Sequence, residues 1–130
     1  MVRGLCSLRA GVPGLSDHIR VRSIVGRFLE HPRIWYFANG GSDDVYLSSA
    51  DWMGRNLFRR IEVAFPVLDK ELKARVIAEG LAVCFDDNCS AWDLGADGEY
   101  RRAKPARRAR ACAAQELLLD RLAEGPSTAV

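Results

Sequence analysis

Apolar and polar positions alternate most regularly in the middle of the chain. Ile34–Ala38 and Val45–Ser49 are rich in aromatic and β-branched residues, which predicts two strands. Asn39–Asp44 connects them and contains two glycines, so we expect a β-hairpin with a loop longer than the tightest type. Arg60–Val67 alternates like another strand, and Val2–Leu8 reads as a short opening strand.

A different spacing predicts the helices. The apolar residues of Ser23–Glu30 recur at helical spacing, and Pro32 prevents that helix from continuing. Asp69 is placed to cap a long amphipathic helix that reaches about Val83, with Leu72, Val76 and Ile77 facing inward. We also expect a helical turn at Asp51–Leu57, a last helix at Ala111–Ala123, loops at Arg9–Ser16 and Asp86–Gly98, and a frayed end at Gly125–Val130.

This order of elements predicts the α/β class, with a mixed sheet flanked by helices. The first strand begins at residue 2 without a lead-in, and only three or four strands follow it. Such a sheet is thin for its helices. We therefore expect the sheet to be incomplete at the N-terminus and the chain to be part of something larger.

Composition limits the function classes. The chain has 130 residues, about one small domain, with 19 Lys and Arg against 17 Asp and Glu, so any anion site must come from local clustering. There is no apolar run of 18 residues, and Arg3, Arg9, Asp17 and Arg20 interrupt any signal-peptide core, which favours the cytoplasm. The four cysteines, Cys6, Cys84, Cys89 and Cys112, favour reduced structural thiols over a zinc site.

The candidate chemistry centres on His31, in the stretch "FLEHPRIWYF". Histidine titrates near neutrality, and arginine binds phosphate oxygens in a bidentate manner while staying charged. Arginines surround this histidine in the sequence: Arg3, Arg27, Arg33, Arg55, Arg59 and Arg60. The alternative is that His31 closes a helix, where its cation suits the helix dipole, and that the arginines form a solvated surface.

Three segments, "VRGLCSLRAGVPGLSDHIRVRSIVGRFLEHPRIWYFANGG", "VYLSSADWM" and "RNLFRRIEVAFPV", resemble the C-terminal catalytic region of bacterial polyphosphate kinase of the phosphohistidine type. The likeness is dense and in order from about Val2 to Ala78. It implies a phospholipase D-like fold over residues 1–124, as a partial second catalytic domain, followed by a disordered tail at 125–130. It also implies that the family's N-terminal region and phosphohistidine domain are missing.

The resemblance implies a reaction and a set of site residues. The family transfers the terminal phosphate of ATP reversibly onto inorganic polyphosphate through a phosphorylated histidine, which neither histidine of this chain matches. His31 matches the family's second active-site histidine, which contacts the nucleotide phosphates and is expected to donate a proton. Arg3 matches an arginine that binds the same phosphates. Arg60 falls on a position that lines the phosphate tunnel, and Glu62 is expected to orient His31.

The same resemblance implies the cofactors and partners. They are ATP with Mg²⁺, whose protein ligands are expected in the missing domain, and the substrates ATP or ADP and inorganic polyphosphate. The missing phosphohistidine domain or another subunit would complete the site, and the full-length family is expected to form homo-oligomers. The expected location is the cytoplasm, with membrane association as an alternative. Alone, this chain is expected to be inactive.

Family members also resemble phospholipase D, whose half-sites combine His-x-Lys, a downstream Asp and Gly-Ser-x-Asn. Here Arg33 stands at the Lys position, Ala38 at the Asp position, and Ser48-Ser49-Ala50-Asp51 replaces Gly-Ser-x-Asn. These departures favour the kinase over the alternative of a phosphodiesterase that works as a dimer. Two further alternatives are a non-catalytic module that binds polyphosphate or nucleic acid, and a degraded gene product that barely folds.

Two other stretches have more ordinary interpretations. The basic segment at residues 101–111, "RRAKPARRARA", is interpreted as a solvated connection before the last helix, with a polyanion-binding arm as the alternative. Trp35, Tyr36 and Phe37 could stack on a base, but their place on a strand favours packing in a core. His18 is assigned no role.

Overall fold

The computed structural model describes residues 1, 2, 4 and 6–123. Strands and helices alternate along it, which confirms the predicted α/β class. The strands are β1 Arg22–Ile24, β2 Ile34–Phe37, β3 Asp44–Ser48, β4 Ala64–Pro66, β5 Ala91–Leu94 and β6 Tyr100–Arg102. The helices are α1 Gly54–Arg59, α2 Lys70–Ile77, α3 Val83–Asp86 and α4 Ala114–Ala123, with a 3₁₀ turn at Asn39–Gly41 and a π-helical segment at Ala78–Ala82.

The described chain divides into two compact units. One contains the described residues of 1–30 together with those from 83 onward, and the other is His31–Ala82. Each unit holds an antiparallel sheet of three strands, in the order β1-β5-β6 in the first and β2-β3-β4 in the second. The strands therefore form two small sheets where the sequence predicted one mixed sheet. The assignment of residues 1–124 to a single partial domain stays a prediction.

The predicted hairpin is confirmed and forms the centre of the second unit. β2 pairs with β3 in a register that places Ile34 opposite Leu47 and Phe37 opposite Asp44. The loop turns at Asn39, whose φ is 41°, and at Gly40, whose φ is 65°. Backbone of this left-handed kind favours Asn and Gly. The expected strand at Arg60–Val67 is also present, shortened to β4.

The helix predicted at Ser23–Glu30 is wrong. This stretch contains the end of β1, followed by bends at residues 26–28. Ile24 is buried against Ala91 and Ala114, and β1 pairs with β5. The partner strand lies about seventy residues away along the chain, inside a segment that was predicted to be a loop. The apolar residues have helical spacing, but pairing with a distant strand decides the structure of this segment. No local sequence pattern indicates that pairing.

Gly26 leaves room for a side chain of α4. A Cβ at Gly26 would lie 2.3 Å from Oε1 of Gln115. Gln115 is buried and holds the backbone of Phe28 twice, because Phe28 N donates to Oε1 at 2.9 Å and Nε2 donates to Phe28 O at 2.8 Å. Gln115 can therefore reach the backbone of Phe28 only if residue 26 has no side chain.

The strand predicted at Val2–Leu8 is also wrong over the described residues, none of which is in a strand. Val2 N donates to Arg22 O at 2.9 Å, which is the one ladder-like bond of this segment that can be described. Arg3, Leu5 and the expected frayed end at Gly125–Val130 lie outside the described residues. The loop predicted at Arg9–Ser16 is confirmed as a series of turns.

The cap predicted at Asp69 is confirmed. Its Oδ1 accepts hydrogen bonds from Glu71 N at 2.9 Å and Leu72 N at 2.8 Å. α2 ends at Ile77, earlier than predicted, and the π-helical segment that follows contains Gly80. A Cβ on Gly80 would lie 2.3 Å from Cδ1 of Ile34. Leu72 does not face inward, since it is exposed, whereas Val76 and Ile77 are half-buried.

The packing predicted for the β2 aromatics holds only in part. Trp35 is half-buried and meets Trp52 edge to face, with ring centroids 6.0 Å apart. Tyr36 and Phe37 are exposed, although Phe37 makes an edge contact with Tyr46. The described chain provides no core layer over that end of the strand.

Two remaining features of the fold concern membrane-spanning helices and the cysteine thiols. In the part of the chain that the structure describes, none of the helices has the length and apolar character that a bilayer crossing requires. The four cysteines are free thiols. Burial raises the pKa of the Cys84 thiol to about 11, so this cysteine stays in its protonated, unreactive form at neutral pH.

Candidate functional site

His31 lies just before β2, and its side chain is 60% exposed. Its Nε2 atom is 3.2 Å from Oδ1 of Asp51, which follows β3. The same nitrogen lies 3.3 Å from Nη2 of Arg33. An imidazole is therefore placed at the surface of the second unit, between a carboxylate and a guanidinium.

Arg33 links this histidine to Asp51. Arg33 Nε donates to Asp51 Oδ1 at 2.8 Å, and both side chains are only 25% exposed. The hydrogen bond from Arg33 lowers the pKa of Asp51 below its usual value. Desolvation is the next largest effect and opposes this shift, while the charges of Arg33, His31 and Arg55 each lower the pKa by a smaller amount. Asp51 therefore stays ionised, as an acceptor, well below neutral pH.

The hairpin register explains why these residues meet. Each pair in the β2–β3 ladder has numbers that sum to 81, as in Ile34 with Leu47. The ladder extends one step further, because Ser48 N donates to Arg33 O at 3.0 Å. Continuing the same register places His31 opposite Ala50, next to Asp51. The predicted hairpin thus contained a signal for the Asp51 contact, although no role was predicted for Asp51.

The prediction that Glu62 orients His31 is wrong as a direct contact, because the carboxylate at His31 is that of Asp51. Glu62 instead accepts hydrogen bonds from Ser49 Oγ and from Asn56 Nδ2, the latter at 2.7 Å. Asn56 is buried, and Ser49 Oγ also accepts from Val63 N at 3.0 Å. Glu62 therefore joins the end of β3 to α1 and to the segment before β4.

Arg60 directly follows α1 and is exposed. Hydrogen bonds from Ser49 and then Asn56 lower the pKa of Glu62, and the positive charges of Arg60 and Arg33 add to the effect. Arg60 and Arg33 thus both act electrostatically on Glu62, and Arg33 also contacts His31. Arg3 lies outside the described residues, so its convergence with His31 and Arg60 stays a prediction.

The carboxylates of the candidate site are already bound by other side chains, which leaves few oxygens that could bind a metal ion. Asp51 is bound by Arg33, and Glu62 by Ser49 and Asn56. Within residues 1, 2, 4 and 6–123, no three His, Cys, Asp or Glu side chains are grouped so that they could hold a metal. The described residues therefore do not fit a protein-held Mg²⁺.

Internal contacts take up part of the basic segment at 101–111. Arg101 pairs with Asp97, and Arg102 donates from Nε and Nη2 to Cys89 O at 2.9 and 2.8 Å. These two arginines belong to β6 and support the first unit. The interpretation of this segment as a solvated connection holds for its later residues, which are exposed up to Ala111 apart from the half-buried Ala103.

Comparison with known proteins gives a consistent set of matches. A family model described as polyphosphate kinase C-terminal domain 2 matches residues 1–115 of the chain. A polyphosphate kinase of Burkholderia cenocepacia is 68% identical over 104 residues, which cover 80% of this chain and 15% of that protein. A polyphosphate kinase of Paraburkholderia phytofirmans is 63% identical over 110 residues, 85% of this chain and 16% of that protein.

The structure gives the same result. It is similar to the crystal structure of polyphosphate kinase from Porphyromonas gingivalis, with a TM-score of 0.78 and 39% identity. The match covers 87% of this chain and 17% of the solved one. This chain thus spans about one sixth of the length of the proteins that it matches.

Proposed function

The chain belongs to the polyphosphate kinase family through C-terminal domain 2, and on that premise we propose that it supplies the nucleotide-phosphate-binding part of a polyphosphate kinase active site. The reaction proposed for the complete site is the reversible transfer of the terminal phosphate of ATP to inorganic polyphosphate. The observation that carries the proposal is the convergence of His31 and Arg33 on one oxygen of Asp51. Nitrogen donors that meet at one oxygen of an anion can also bind a phosphate oxygen.

Each proposed role follows from ordinary phosphoryl-transfer chemistry. The transferring group gains stability from fixed positive charge and from positioning more than from covalent chemistry. Arg60, exposed beside Glu62, is proposed to bind phosphate oxygens, and Arg3 is proposed to do the same. His31 is proposed to bind the nucleotide phosphates and to give a proton to the leaving oxygen. Its exposure supports this role, because a ligand can reach it from solvent.

Completing the site requires a partner in this proposal. Neither His18 nor His31 matches the family's phosphorylated histidine, so the nucleophile is proposed to come from a phosphohistidine domain or another subunit. A run of exposed large apolar side chains supports a partner, since monomers seldom leave so many uncovered. The run lies between residues 52 and 68 and comprises Trp52, Met53, Leu57, Phe58, Ile61, Val63, Phe65 and Leu68.

The proposed cofactors and setting follow the family. ATP enters with Mg²⁺, and the protein ligands of the metal are proposed to lie in the partner, because the described residues of this chain do not group three ligands. A homo-oligomer and a cytoplasmic location, where ATP is abundant, complete the proposal. The alternative of a polyanion-binding module has weaker support, because Arg101 and Arg102 are held by internal contacts.

Isothermal titration of the whole chain with long-chain polyphosphate and with ATP plus Mg²⁺ tests the proposal. The wild type should bind both ligands without hydrolysing ATP. His31→Ala, Arg3→Ala and Arg60→Ala should each weaken ATP binding by roughly tenfold, the loss expected for one charge-assisted hydrogen bond. His18→Ala is the matched control, because His18 is an exposed histidine in a turn and should leave binding unchanged.

Two outcomes would contradict the proposal. One is a wild type that binds neither ligand at moderate salt. The other is a set of variants that bind as tightly as His18→Ala, since the site residues would then have no part in recognition. Polyphosphate binding that survives all three changes but is lost when the arginines at 107, 108 and 110 are replaced would favour the polyanion-binding module.

A further inference from the structure

The proposed function gives Asp51 no role, yet Asp51 contacts both His31 and Arg33. Its Oδ1 accepts from Arg33 Nε at 2.8 Å and lies 3.2 Å from His31 Nε2. The third side of this triangle is closed by Arg33 Nη2, 3.3 Å from the same histidine nitrogen. One carboxylate oxygen thus fixes the direction of both a guanidinium and an imidazole.

The backbone that carries Asp51 is well anchored. Ala50 is buried, and its N–H donates to Ser48 Oγ at 3.0 Å. Asp51 O accepts from Met53 N at 2.8 Å. Asp51 itself is mostly buried, whereas the His31 side chain is mostly exposed. Of the two, Asp51 is the fixed partner and His31 the side chain that needs holding.

The negative charge of Asp51 is unexpected at its place in the phospholipase D-like pattern. In the phospholipase D-like pattern, Asp51 stands where a neutral amide is expected, and Arg33 stands where a lysine is expected. A negative charge beside a site for polyphosphate or ATP should repel the ligand. Since the charge is nevertheless there, and neutralised by Arg33, a structural task for it is more consistent with the geometry than ligand contact.

We propose that Asp51 is a positioning residue, which orients the His31 ring by accepting a hydrogen from its Nε2 atom. The inference rests on the proposed function of His31 but can be tested without any ligand. Because the carboxylate is ionised, it only accepts hydrogen bonds, so the contact requires a hydrogen on Nε2. An Nε2 atom without hydrogen would instead accept from Arg33 Nη2. Asp51 and Arg33 therefore favour opposite tautomers of the ring.

Long-range ¹H–¹⁵N NMR of the histidine rings tests this directly. The chain has only two histidines, so His18 is an internal reference. At about pH 8.5, where an ordinary imidazole is neutral, wild-type His31 should be mainly the Nε2–H tautomer. Asp51→Asn should lower the ratio of Nε2–H to Nδ1–H by roughly fivefold or more, since a charge-assisted bond is lost. Asp120→Asn, an exposed change on α4, should alter neither ring.

A second variant guards against a folding defect. Arg33→Gln replaces the charged guanidinium by a shorter, neutral side chain but leaves the carboxylate, so it should keep or increase the Nε2–H tautomer of His31. Unchanged His31 signals in Asp51→Asn would overturn the proposal. A wild-type ring that is mainly Nδ1–H would overturn it too, and so would loss of the Nε2–H tautomer in a folded Arg33→Gln protein.

ATP binding provides a second test, because repulsion and positioning predict opposite changes in affinity. A carboxylate that merely repels the ligand would give tighter ATP binding when neutralised, whereas a positioning residue gives weaker binding. We expect Asp51→Asn to weaken ATP binding roughly fivefold to tenfold despite the lost negative charge. Tighter binding would overturn the positioning role. A wild type that does not bind ATP would refute the proposed function alone, because the ring signals would still decide the role of Asp51.

Discussion

At the scale of single residues, Asp87 shows how one buried side chain joins distant parts of a unit. Its carboxylate is almost completely buried and accepts four backbone N–H groups. Cys89, Ser90 and Ala91 donate to Oδ1 at 2.9, 2.6 and 2.9 Å, and Ala114 N donates to Oδ2 at 2.7 Å. The residue therefore ties the turn before β5 to the first turn of α4.

Replacing Asp87 by Asn should destabilise the first unit. The amide keeps one acceptor oxygen and turns an NH₂ group towards a backbone donor, which leaves buried polar groups unpaired. We expect the free energy of unfolding to fall by about 2–4 kcal/mol, as measured by urea denaturation. Asp86→Asn is the matched control, because the neighbouring Asp86 is exposed. Equal stabilities of the two variants would mean that these hydrogen bonds contribute little.

The roles of individual residues in the candidate site were predictable only where a family motif contains those residues. His31 and Arg60 received their roles through a family resemblance, and His31 does lie in a polar cluster. Asp51 was missed because its contact with His31 crosses twenty positions of sequence and depends on the strand register. Glu62 was assigned to the wrong partner for a similar reason. A carboxylate near a histidine in the sequence pattern does not reveal which side chain its oxygens reach.

At the scale of elements, local patterns succeeded where the partner strand is close in the sequence. The β2–β3 hairpin and the Asp69 cap depend on residues within thirteen positions of one another, and both were predicted. β1 was missed because it pairs with a strand far along the chain. β5 was missed although it also pairs with the nearby β6, because its segment is polar and was predicted to be a loop. Ile24 gains burial from that pairing, which a short helix at Ser23–Glu30 would not provide.

The turn between β5 and β6 should make stability depend on pH. The side-chain hydrogen bond from Arg101, aided by the N–H of Glu99, lowers the pKa of Asp97 to about 2. The ordinary value in an unfolded chain is about 3.9. A carboxylate whose pKa is lower in the folded state contributes stability above the unfolded value, and that contribution is lost as pH falls through the folded value.

The pH range and the control follow from those two values. The difference in unfolding midpoint between wild type and Asp97→Asn should be constant above about pH 5 and should shrink towards zero between about pH 4 and pH 2. Glu71→Gln, an exposed change in α2, should show no such narrowing. A difference that stays constant down to pH 2 would show that the Asp97 pairing with Arg101 does not persist in solution.

At the scale of the whole molecule, the described chain leaves much apolar surface uncovered. It matches about one sixth of the length of its relatives, and Trp52, Phe58, Ile61 and Leu68 are all at least 79% exposed. These residues lie within the same stretch of sequence as α1 and β4, which also carries Arg60 and Glu62. A partner that covers this stretch would therefore approach the proposed phosphate site as well.

We predict that the stretch at residues 52–68 binds the rest of a polyphosphate kinase. The test mixes this chain with Burkholderia cenocepacia polyphosphate kinase from which the matching region has been deleted, and measures binding and polyphosphate synthesis. Ile61→Asp should weaken binding at least tenfold and lower synthesis in parallel, because a charge would be buried at an apolar contact. The isolated variant should unfold like the wild type, since Ile61 is 100% exposed and packs against nothing.

Leu15→Asp is the matched control for that prediction. Leu15 is 85% exposed but lies in the turns of the first unit, so its change alters surface charge equally without touching the stretch at 52–68. If both variants lose binding to the same extent, the effect is one of charge, and the stretch has no special role. If neither does, the apolar residues are not the contact. A loss confined to Ile61→Asp would instead connect the exposed apolar side chains to the function of the neighbouring site.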